Sequence, residues 1–337
     1  MISIVCPIFN EEKYIGPFIE SILKQDYPKD DLEILLVDGL STDMSRVIIS
    51  EYAKKYPFLR LIDNPQQTVP YAMNNGIMCA NGSIVLRLDA HAEYPSNYCS
   101  VLVQKLNELD GAENVGGVCI TLPCNETPVA VSIAECMCNR FGIGNSYFRV
   151  GAKRIMSVDT VPFGCFRKSL FDRIGLYDTD MIRNQDDELN GRIIMNGGKI
   201  YLLPEIEIKY YARDSISKIR RMFYQYGLYK PLGNKKLGSP ATMRQFLPLA
   251  FVLGLFLGAF LCLIFPPFRP FYLGVVTLYV VIGVAEGVKS ACKTGQWSCV
   301  FLMPFIFFNM HISYGVGYMV GLFNLLFHKG FEATVNR

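Results

Sequence analysis

The sequence predicts an α/β protein with a doubly wound, mostly parallel sheet and helices on both faces, followed by membrane-spanning helices. Three observations support this prediction. Strand and helix patterns alternate over residues 2–91, as in doubly wound sheets. Polar residues follow the ends of several of these strands. After residue 245 three long apolar segments dominate, which explains a hydrophobic content of 51% in a chain of 337 residues.

The elements of the first part can be assigned in order from their periodicity. Continuous β-branched apolar runs predict buried strands, and apolar residues at helical spacing predict helices. On this basis the strands are expected at 2–9, 32–39, 58–63 and 83–91, and the helices at 11–25, 43–56 and 69–82. In sheets of this class, ligands bind beyond the carboxyl ends of the strands.

Polar side chains lie where the predicted strands end. Glu11 follows the first strand, Asp38 ends the second, and Asp89 and His91 end the fourth, which also carries Arg87. Burying such charges costs several kcal/mol for each ion unless they are paired or bound. A single aspartate at a strand end is usually a turn or capping residue. Several at one edge of a sheet indicate a ligand site.

The spacing of Asp89 and His91 suggests a metal site. Side chains alternate along an extended segment, so these two would project from the same side. A carboxylate and an imidazole can share one divalent cation, and this mixed donor set suits Mn²⁺ better than Mg²⁺. Phosphate oxygens could complete the coordination. The alternative is that His91 only caps the following turn.

Four segments together resemble the family 2 glycosyltransferases of the GT-A fold. They are CPIFNEE (6–12), VDGLSTD (37–43), NNGIMCANGSIVLRLDAHAEYP (74–95) and NQDDELNGR (184–192). The LDAH form is similar to that of the succinoglycan-type, membrane-associated glucosyltransferases of bacterial polysaccharide biosynthesis. The resemblance covers roughly residues 2–230 and implies a Rossmann-like GT-A domain followed by a transmembrane region.

The resemblance implies a role for each matching residue. Asp89 and His91 stand where the family has its metal-binding Asp-x-Asp, so Mn²⁺ or Mg²⁺ is expected as cofactor. Asp186 matches the general base that takes a proton from the acceptor hydroxyl, with Asp187 as the close second choice. Without the resemblance, these two would read as a charged helix N-terminus. The residues implied to bind the nucleotide-sugar are Pro7, Phe9, Glu11, Asp38, Asn74, Arg87 and Asp89.

The last part of the chain contains the apolar segments 246–265, 271–288 and 299–327. At about 1.5 Å per residue, the first is long enough for a hydrocarbon core of about 30 Å. The third is long for one span, so it is either a tilted helix or an interfacial piece plus a span, and two to three spans remain possible. It carries His311, which is either functional or a hydrogen-bonding link between helices.

A basic amphipathic helix is expected at 215–230, on the membrane surface or packed on the sheet. The family's Gln-x-x-Arg-Trp element is missing, so Arg221 or Lys230 would replace it as the diphosphate clamp. We expect a catalytic domain at 1–212, an interfacial helix and linker at 213–245, membrane helices at 246–328 and a tail at 329–337. The flanking lysines and arginines favour a cytosolic catalytic domain on a bacterial inner or plasma membrane.

Together these features predict an inverting, metal-dependent glycosyltransferase. It would move a hexose, with glucose favoured, from a UDP-sugar to a polyprenyl-diphosphate-linked saccharide. A polyprenyl-phosphate glycosyltransferase is the alternative, because an ionised phosphate acceptor needs no base. An inactive membrane scaffold is an alternative of another class. The net charge of +3 gives no signature of nucleic-acid binding, and eleven cysteines without a C-x-x-C pair are typical of buried thiols in a reducing compartment.

Overall fold

The computed structural model describes residues 1–331, which form two compact units. The first unit combines Met1–Ile120 with Tyr147–Tyr210. The second combines Thr121–Ser146 with the described residues from Tyr211 onward. The segment 121–146 therefore belongs with the C-terminal region, although it lies within the predicted catalytic domain in the sequence.

Nine strands form a single mixed sheet in the described part of the chain. Their order across the sheet is 3-2-1-4-8-6-9-5, and strand 7 pairs with strand 9. In chain order they are β1 (Ile2–Ile8), β2 (Leu32–Asp38), β3 (Leu59–Asp63), β4 (Ile84–Arg87), β5 (Ala92–Glu93), β6 (Ala112–Leu122), β7 (Met156–Ser157), β8 (Cys165–Arg167) and β9 (Lys199–Tyr211).

The first four strands are parallel, whereas β8 runs antiparallel to both β4 and β6. The connections between the parallel strands are helical, as the alternating pattern predicts. The helices are α1 (Ile15–Leu23), α2 (Ser45–Lys55), α3 (Val69–Cys79), α4 (Tyr98–Glu108), α5 (Pro128–Met137), α6 (Arg140–Ile143), α7 (Tyr147–Val150), α8 (Lys168–Ile174), α9 (Gln185–Met195), α10 (Ile216–Leu237), α11 (Phe246–Ile264), α12 (Arg269–Thr294) and α13 (Cys299–Leu326).

Alternating side chains of the central strands enter two hydrophobic cores, one on each face of the sheet. Ile4 and Ile34 pack in the core that also contains residues of α1, α2 and α4. Val5 and Leu35 pack in the other core, with residues of α3, α8 and α9. Both faces are therefore covered, and the predicted α/β sheet with helices on both sides is confirmed.

The fourth strand is shorter than its apolar pattern suggests. β4 ends at Arg87, and residues 90 and 91 form a turn in which the Ala92 amide donates to the Asp89 carbonyl at 3.3 Å. This turn leads into β5, which pairs with β9. The prediction of one extended strand through residue 91 is therefore wrong beyond Arg87. Asp89 and His91 do not project from the same side of a strand, because a turn separates them.

The second unit is helical, and the buried residues of α10 lie on more than one side of that helix. Gly227 of α10 and Gly317 of α13 bring the helix backbones into contact: an added side chain would meet the carbonyl of Tyr314 or of Tyr224, respectively. Small residues permit this close approach. Three stretches are long and apolar enough to cross a membrane: Met243–Ile264, Pro266–Thr294 and Cys299–Leu326.

His311 links helices of this unit. Its Nδ1 lies 2.8 Å from the hydroxyl of Tyr279 on α12, and its Nε2 lies 3.2 Å from the carbonyl of Gly142 on α6. The geometry matches the alternative of a hydrogen-bonding link between helices.

Candidate active site

Arg87 connects two carboxylates at the carboxyl end of the parallel strands. It is the last residue of β4 and its side chain is 7% exposed. Its Nε lies 3.4 Å from Asp89 Oδ1, and its Nη1 donates to Asp186 Oδ1. The structure therefore brings these three residues, each a predicted site residue, together. Desolvation lowers the pKa of Arg87, but Asp186 and Asp89 outweigh it, so the pKa lies well above its ordinary value.

Asp186 lies in the first turn of α9. Asn184, which precedes this helix, has a left-handed backbone with φ of 58°. Such a conformation is uncommon for a residue other than glycine and is often found at functional sites. A third of the Asp186 side chain is exposed, yet desolvation by the surrounding protein raises its pKa more than Arg87 lowers it. An elevated carboxyl pKa is typical of a group that accepts protons.

Glu11 and His91 lie together near the ends of β1 and β4. His91 Nδ1 is 3.6 Å from Glu11 Oε1; the His91 side chain is 36% exposed, whereas that of Glu11 is almost buried. Asp89 is 22% exposed. Among the described residues, no three His, Cys, Asp or Glu side chains converge as a ready metal site. Asp89 and His91 still offer accessible oxygen and nitrogen donors, which fit a divalent cation that takes its other ligands from phosphate.

Asp38 is the last residue of β2, and both oxygens of its carboxylate have partners within the protein. It accepts hydrogen bonds from the Ser41 amide at 2.9 Å and the Ser41 hydroxyl at 2.5 Å. Arg46 forms an ion pair with it at 2.7 Å and reaches Asp63, at the end of β3, at 2.8 Å. The Asp38 side chain is fully buried, so its predicted contact with the nucleotide would require part of this network to open.

Asn74 of α3 is engaged with the backbone rather than exposed in a pocket. Its side chain donates to the Tyr177 carbonyl at 2.8 Å and accepts from the Tyr177 amide at 2.9 Å. Its predicted nucleotide contact stays a prediction. Pro7 and Phe9, at the end of β1, are both half-buried. Phe9 lies beside Gly39, where a Cβ would be 3.0 Å from the Phe9 ring.

Three structural features near Asp186 were missed by sequence reasoning. Tyr177 is buried, and desolvation together with the Asp186 charge raises its pKa. Glu188 pairs with Arg192 at 2.6 Å, and Arg192 also donates to the carbonyl of Leu176 at 2.8 Å. This pair fastens the loop before Tyr177 to α9. The i, i+4 spacing of Glu188 and Arg192 was the signal available in the sequence.

The remaining predicted residues are placed as follows. Asp187 follows Asp186 on α9 and is half-buried. Arg221 and Lys230 lie on α10 in the second unit, where Arg221 is exposed and Lys230 half-buried. Their predicted role as the diphosphate clamp stays a prediction.

Comparison with solved structures identifies the fold. The mannosyltransferase PcManGT from Pyrobaculum calidifontis, in complex with GDP-Man and Mn²⁺, superposes with a TM-score of 0.62 at 19% identity, covering 94% of this chain and 86% of that one. TarS 1–349 from S. aureus superposes with a TM-score of 0.51 at 15% identity, covering 98% and 93%. These similarities show a GT-A type of fold.

Sequence comparison identifies the family. A dolichyl N-acetyl-alpha-D-glucosaminyl phosphate 3-beta-D-2,3-diacetamido-2,3-dideoxy-beta-D-glucuronosyltransferase from Methanococcus voltae is 34% identical over 242 residues, or 70% of this chain and 74% of that protein. Succinoglycan biosynthesis protein ExoA from Rhizobium meliloti is 28% identical over 249 residues, or 73% and 74%. The model of glycosyl transferase family 2 matches residues 3–175, about half of the chain. The chain therefore belongs to glycosyl transferase family 2.

Proposed function

We propose that this glycosyltransferase inverts the anomeric centre while moving a hexose, with glucose favoured, from a UDP-sugar to a polyprenyl-diphosphate-linked saccharide. The reaction would be a step of polysaccharide biosynthesis at the membrane. The observation that carries the proposal is the bridge that Arg87 forms between Asp89 and Asp186. It joins a candidate metal ligand at a strand end to a candidate base at a helix start.

Asp186 is the proposed base. The acceptor hydroxyl gives its proton to the Asp186 carboxylate while its oxygen bonds to the sugar C1, and the bond from C1 to the diphosphate oxygen breaks with its electron pair leaving on UDP. Attack from the face opposite the leaving group inverts C1. The raised pKa of Asp186 supports this role. Arg87 holds the Asp186 carboxylate in place, and Asp187 is the second choice for the base.

Asp89 and His91 are the residues that would hold Mn²⁺ or Mg²⁺. When bound, such an ion neutralises charge on the departing diphosphate. Arg221 and Lys230 are proposed as basic groups that close over the diphosphate, in place of the family's missing motif. The nucleotide would lie along Pro7, Phe9 and the ends of β1 and β2.

The proposed acceptor and location rest on the relatives and the apolar helices. The Methanococcus voltae relative acts on a dolichyl-phosphate-linked sugar by its name, and ExoA is named for succinoglycan biosynthesis. The three apolar helices suit a lipid-linked acceptor. The lysines and arginines that flank them support a cytosolic catalytic domain on a bacterial inner or plasma membrane, because cytosolic loops carry an excess of these residues.

A donor and acceptor panel tests this function. The full chain, purified into lipid nanodiscs, is assayed with UDP- and GDP-sugars, with Mn²⁺, Mg²⁺ or EDTA. The acceptors are a polyprenyl-diphosphate-linked saccharide and polyprenyl monophosphate. We expect transfer of one hexose from a UDP-sugar to the saccharide, abolished by EDTA, with an inverted anomeric product by NMR.

The other outcomes separate the alternatives. Transfer only to the monophosphate that survives Asp186→Asn would establish a polyprenyl-phosphate glycosyltransferase. A chain that binds no nucleotide-sugar with any metal would be a scaffold. Either result would overturn the proposal.

A further inference from the structure

The three apolar helices differ in how protein surrounds them. In α11, Gly258 is the one buried residue from Leu253 onward. In α13, by contrast, a buried face continues along most of the helix. It contains Cys299, Met303, Ile306, Phe307, Met310, Ser313, Gly315, Gly317, Tyr318 and Gly321. α13 therefore packs on protein along one side for most of its length. In α11, by contrast, only Val252 and Gly258 are buried.

The helices α11 and α12 form an antiparallel hairpin with a constant register. Near its tip, Arg269 Nε donates to the Cys262 carbonyl at 2.9 Å. Further along, the Tyr272 hydroxyl donates to the Leu255 carbonyl at 3.0 Å. Further still, the rings of Tyr279 and Phe251 stack with centroids 4.5 Å apart. Continued in this register, Phe246 at the start of α11 is level with the turn of α12 around residues 283–287.

The beginning of α13 lies at that same level. A side chain on Gly287 would come within 2.6 Å of the Cys299 carbonyl, and one on Gly283 within 3.2 Å of Pro304. Lys293 pairs with Glu135 at 2.9 Å just beyond this point, and Trp297 is 66% exposed. Lysine and tryptophan at the end of apolar helices are typical of a membrane–water interface.

The middle of α13 returns to the level at which α11 starts. Gly315 contacts the Pro248 carbonyl, in the first turn of α11. The ring of Tyr318 lies 5.8 Å from that of Phe246, the first residue of α11. The Tyr318 hydroxyl also accepts from Asn234 at 3.0 Å, and Asn234 donates to Gln245 at 3.1 Å. Tyr318 is therefore level with Phe246.

A helix that crosses the bilayer cannot have both Cys299 and Tyr318 at the depth at which α11 begins. From Cys299 to Tyr318, α13 extends about 28 Å at about 1.5 Å per residue, close to a hydrocarbon thickness of about 30 Å. Over this length a span would have reached the level of the hairpin tip near Pro266. The residues from Tyr318 to Leu326 add only about 12 Å, and there Gly321 packs on the Leu228 carbonyl of α10.

We propose that α13 lies in the plane of one leaflet, on the side where α11 begins, and that only α11 and α12 cross the bilayer. The exposed face of α13 would then contact the lipid acyl chains of that leaflet. The outward face of α13 is apolar, and Phe308 on that face lies 6.3 Å from Phe251 of the hairpin between ring centroids, so the same apolar surroundings would cover both, which identifies lipid as the occupant. The exposed residues of that face are Phe301, Phe305, Phe308, Met319, Leu322, Phe323 and Leu326. Two crossings place both chain termini on the same side.

Epitope tags on the full chain test this topology without reference to enzyme activity. One tag is placed at the N-terminus, one after residue 337 and one between Pro267 and Phe268, in separate proteins. Protease protection is measured in sealed vesicles of both orientations. We expect the two terminal tags to be cleaved in the same vesicles and the loop tag in the opposite ones. Cleavage of the C-terminal tag in the same vesicles as the loop tag would establish three spans and overturn the proposal.

Depth measurements provide a second readout that needs only one reporter tryptophan per protein. The chain has one tryptophan, so Trp297→Phe gives a silent background for Phe308→Trp near the middle of α13 and for the matched control Phe256→Trp in mid α11. We expect lipids brominated near the headgroup to quench the Phe308→Trp protein more than lipids brominated deep in the chain, with the opposite order for Phe256→Trp. Equal deep quenching of both proteins would contradict an in-plane α13.

Discussion

Carboxylates near the two ends of the parallel strands differ in their burial and in the number of hydrogen bonds that they accept. At the amino end, Glu33 of β2 is buried and accepts hydrogen bonds from the Ser3 hydroxyl at 2.5 Å, from the Asn81 amide and side chain, and from the Gly82 amide at 3.2 Å. At the carboxyl end, Asp186 is a third exposed, and Arg87 is the partner it shares with Asp89.

The pKa values follow this difference. Desolvation would raise the pKa of Glu33, but its hydrogen bonds outweigh it and the net shift is downward. For Asp186 desolvation prevails over Arg87 and the net shift is upward. A carboxylate whose lone pairs are satisfied by its own protein stabilises the fold, whereas one left partly open and hard to ionise is available for proton transfer. Glu33 is therefore an acid that stabilises the fold, whereas Asp186 has the properties expected of the proposed base.

The largest expected effect is that of Asp186→Asn on transfer. Removing a general base lowers the rate by about 10²–10⁴-fold, while the shape of the side chain is kept. We expect the kcat for transfer to a saccharide acceptor to fall in this range, with UDP-sugar binding and Tm close to wild type.

Asp187→Asn is the matched control on the same helix turn. It should change kcat much less than Asp186→Asn does. If the two effects were reversed, Asp187 would be the base and the role assigned to the Arg87 bridge would be wrong.

Glu33→Gln should lower stability rather than activity. The amide group of glutamine would face backbone and side-chain donors, which leaves buried polar groups unsatisfied at a cost of about 1–3 kcal/mol. We expect Tm to fall by several degrees, measured by thermal unfolding in detergent. Turnover per folded molecule should remain unchanged. Glu51→Gln, at an exposed position on α2, is the control and should leave Tm nearly unaltered.

The Glu33 network also predicts a dependence of stability on pH. The pKa of Glu33 is lowered by folding, so its contribution is complete above the ordinary carboxyl value of about 4.3 and is lost as pH falls through the lower native value. The stability difference between wild type and Glu33→Gln should be constant from neutral pH to about pH 5 and narrow on further acidification. A difference that widens in acid would contradict the assigned network.

The smallest expected effect is that of His91→Asn on metal preference. Replacing an imidazole nitrogen by an amide oxygen makes the donor set harder, which favours Mg²⁺ relative to Mn²⁺. We expect the ratio of activity with Mg²⁺ to activity with Mn²⁺ to rise by several-fold, about 1 kcal/mol or less. An unchanged ratio would indicate that His91 does not contact the ion.

The sequence predicted the parallel core well because its signals are local. The buried runs that become β1 and β2 are bounded by polar residues, and their predicted ends agree with the structure within one residue. The position of Asp89 at the carboxyl edge of the sheet followed from the same topology, whereas Asp186 was expected near it only through the family motifs. The family, the sheet and the apolar helices are confirmed.

Features that depend on distant pairing were not predictable. Asn74 was expected beside the nucleotide, yet its amide is bonded to the backbone of Tyr177, 103 positions away. The end of β4 is set by a turn that allows β5 to pair with β9, a contact with no local signature. Glu33 appeared as one charge in an apolar strand, because its partners Ser3 and Asn81 come from other segments.

Calorimetric binding of UDP-sugar tests the central claim most directly, since that claim assigns the carboxyl end of the strands to a metal-held nucleotide diphosphate. Wild type, Asp89→Asn and Asp186→Asn are titrated with and without Mn²⁺. We expect Mn²⁺ to strengthen binding to wild type and to Asp186→Asn equally, and Asp89→Asn to lose at least about tenfold in affinity, or 1.4 kcal/mol, together with the effect of the metal. Binding to Asp89→Asn with wild-type affinity and undiminished dependence on Mn²⁺ would contradict the account.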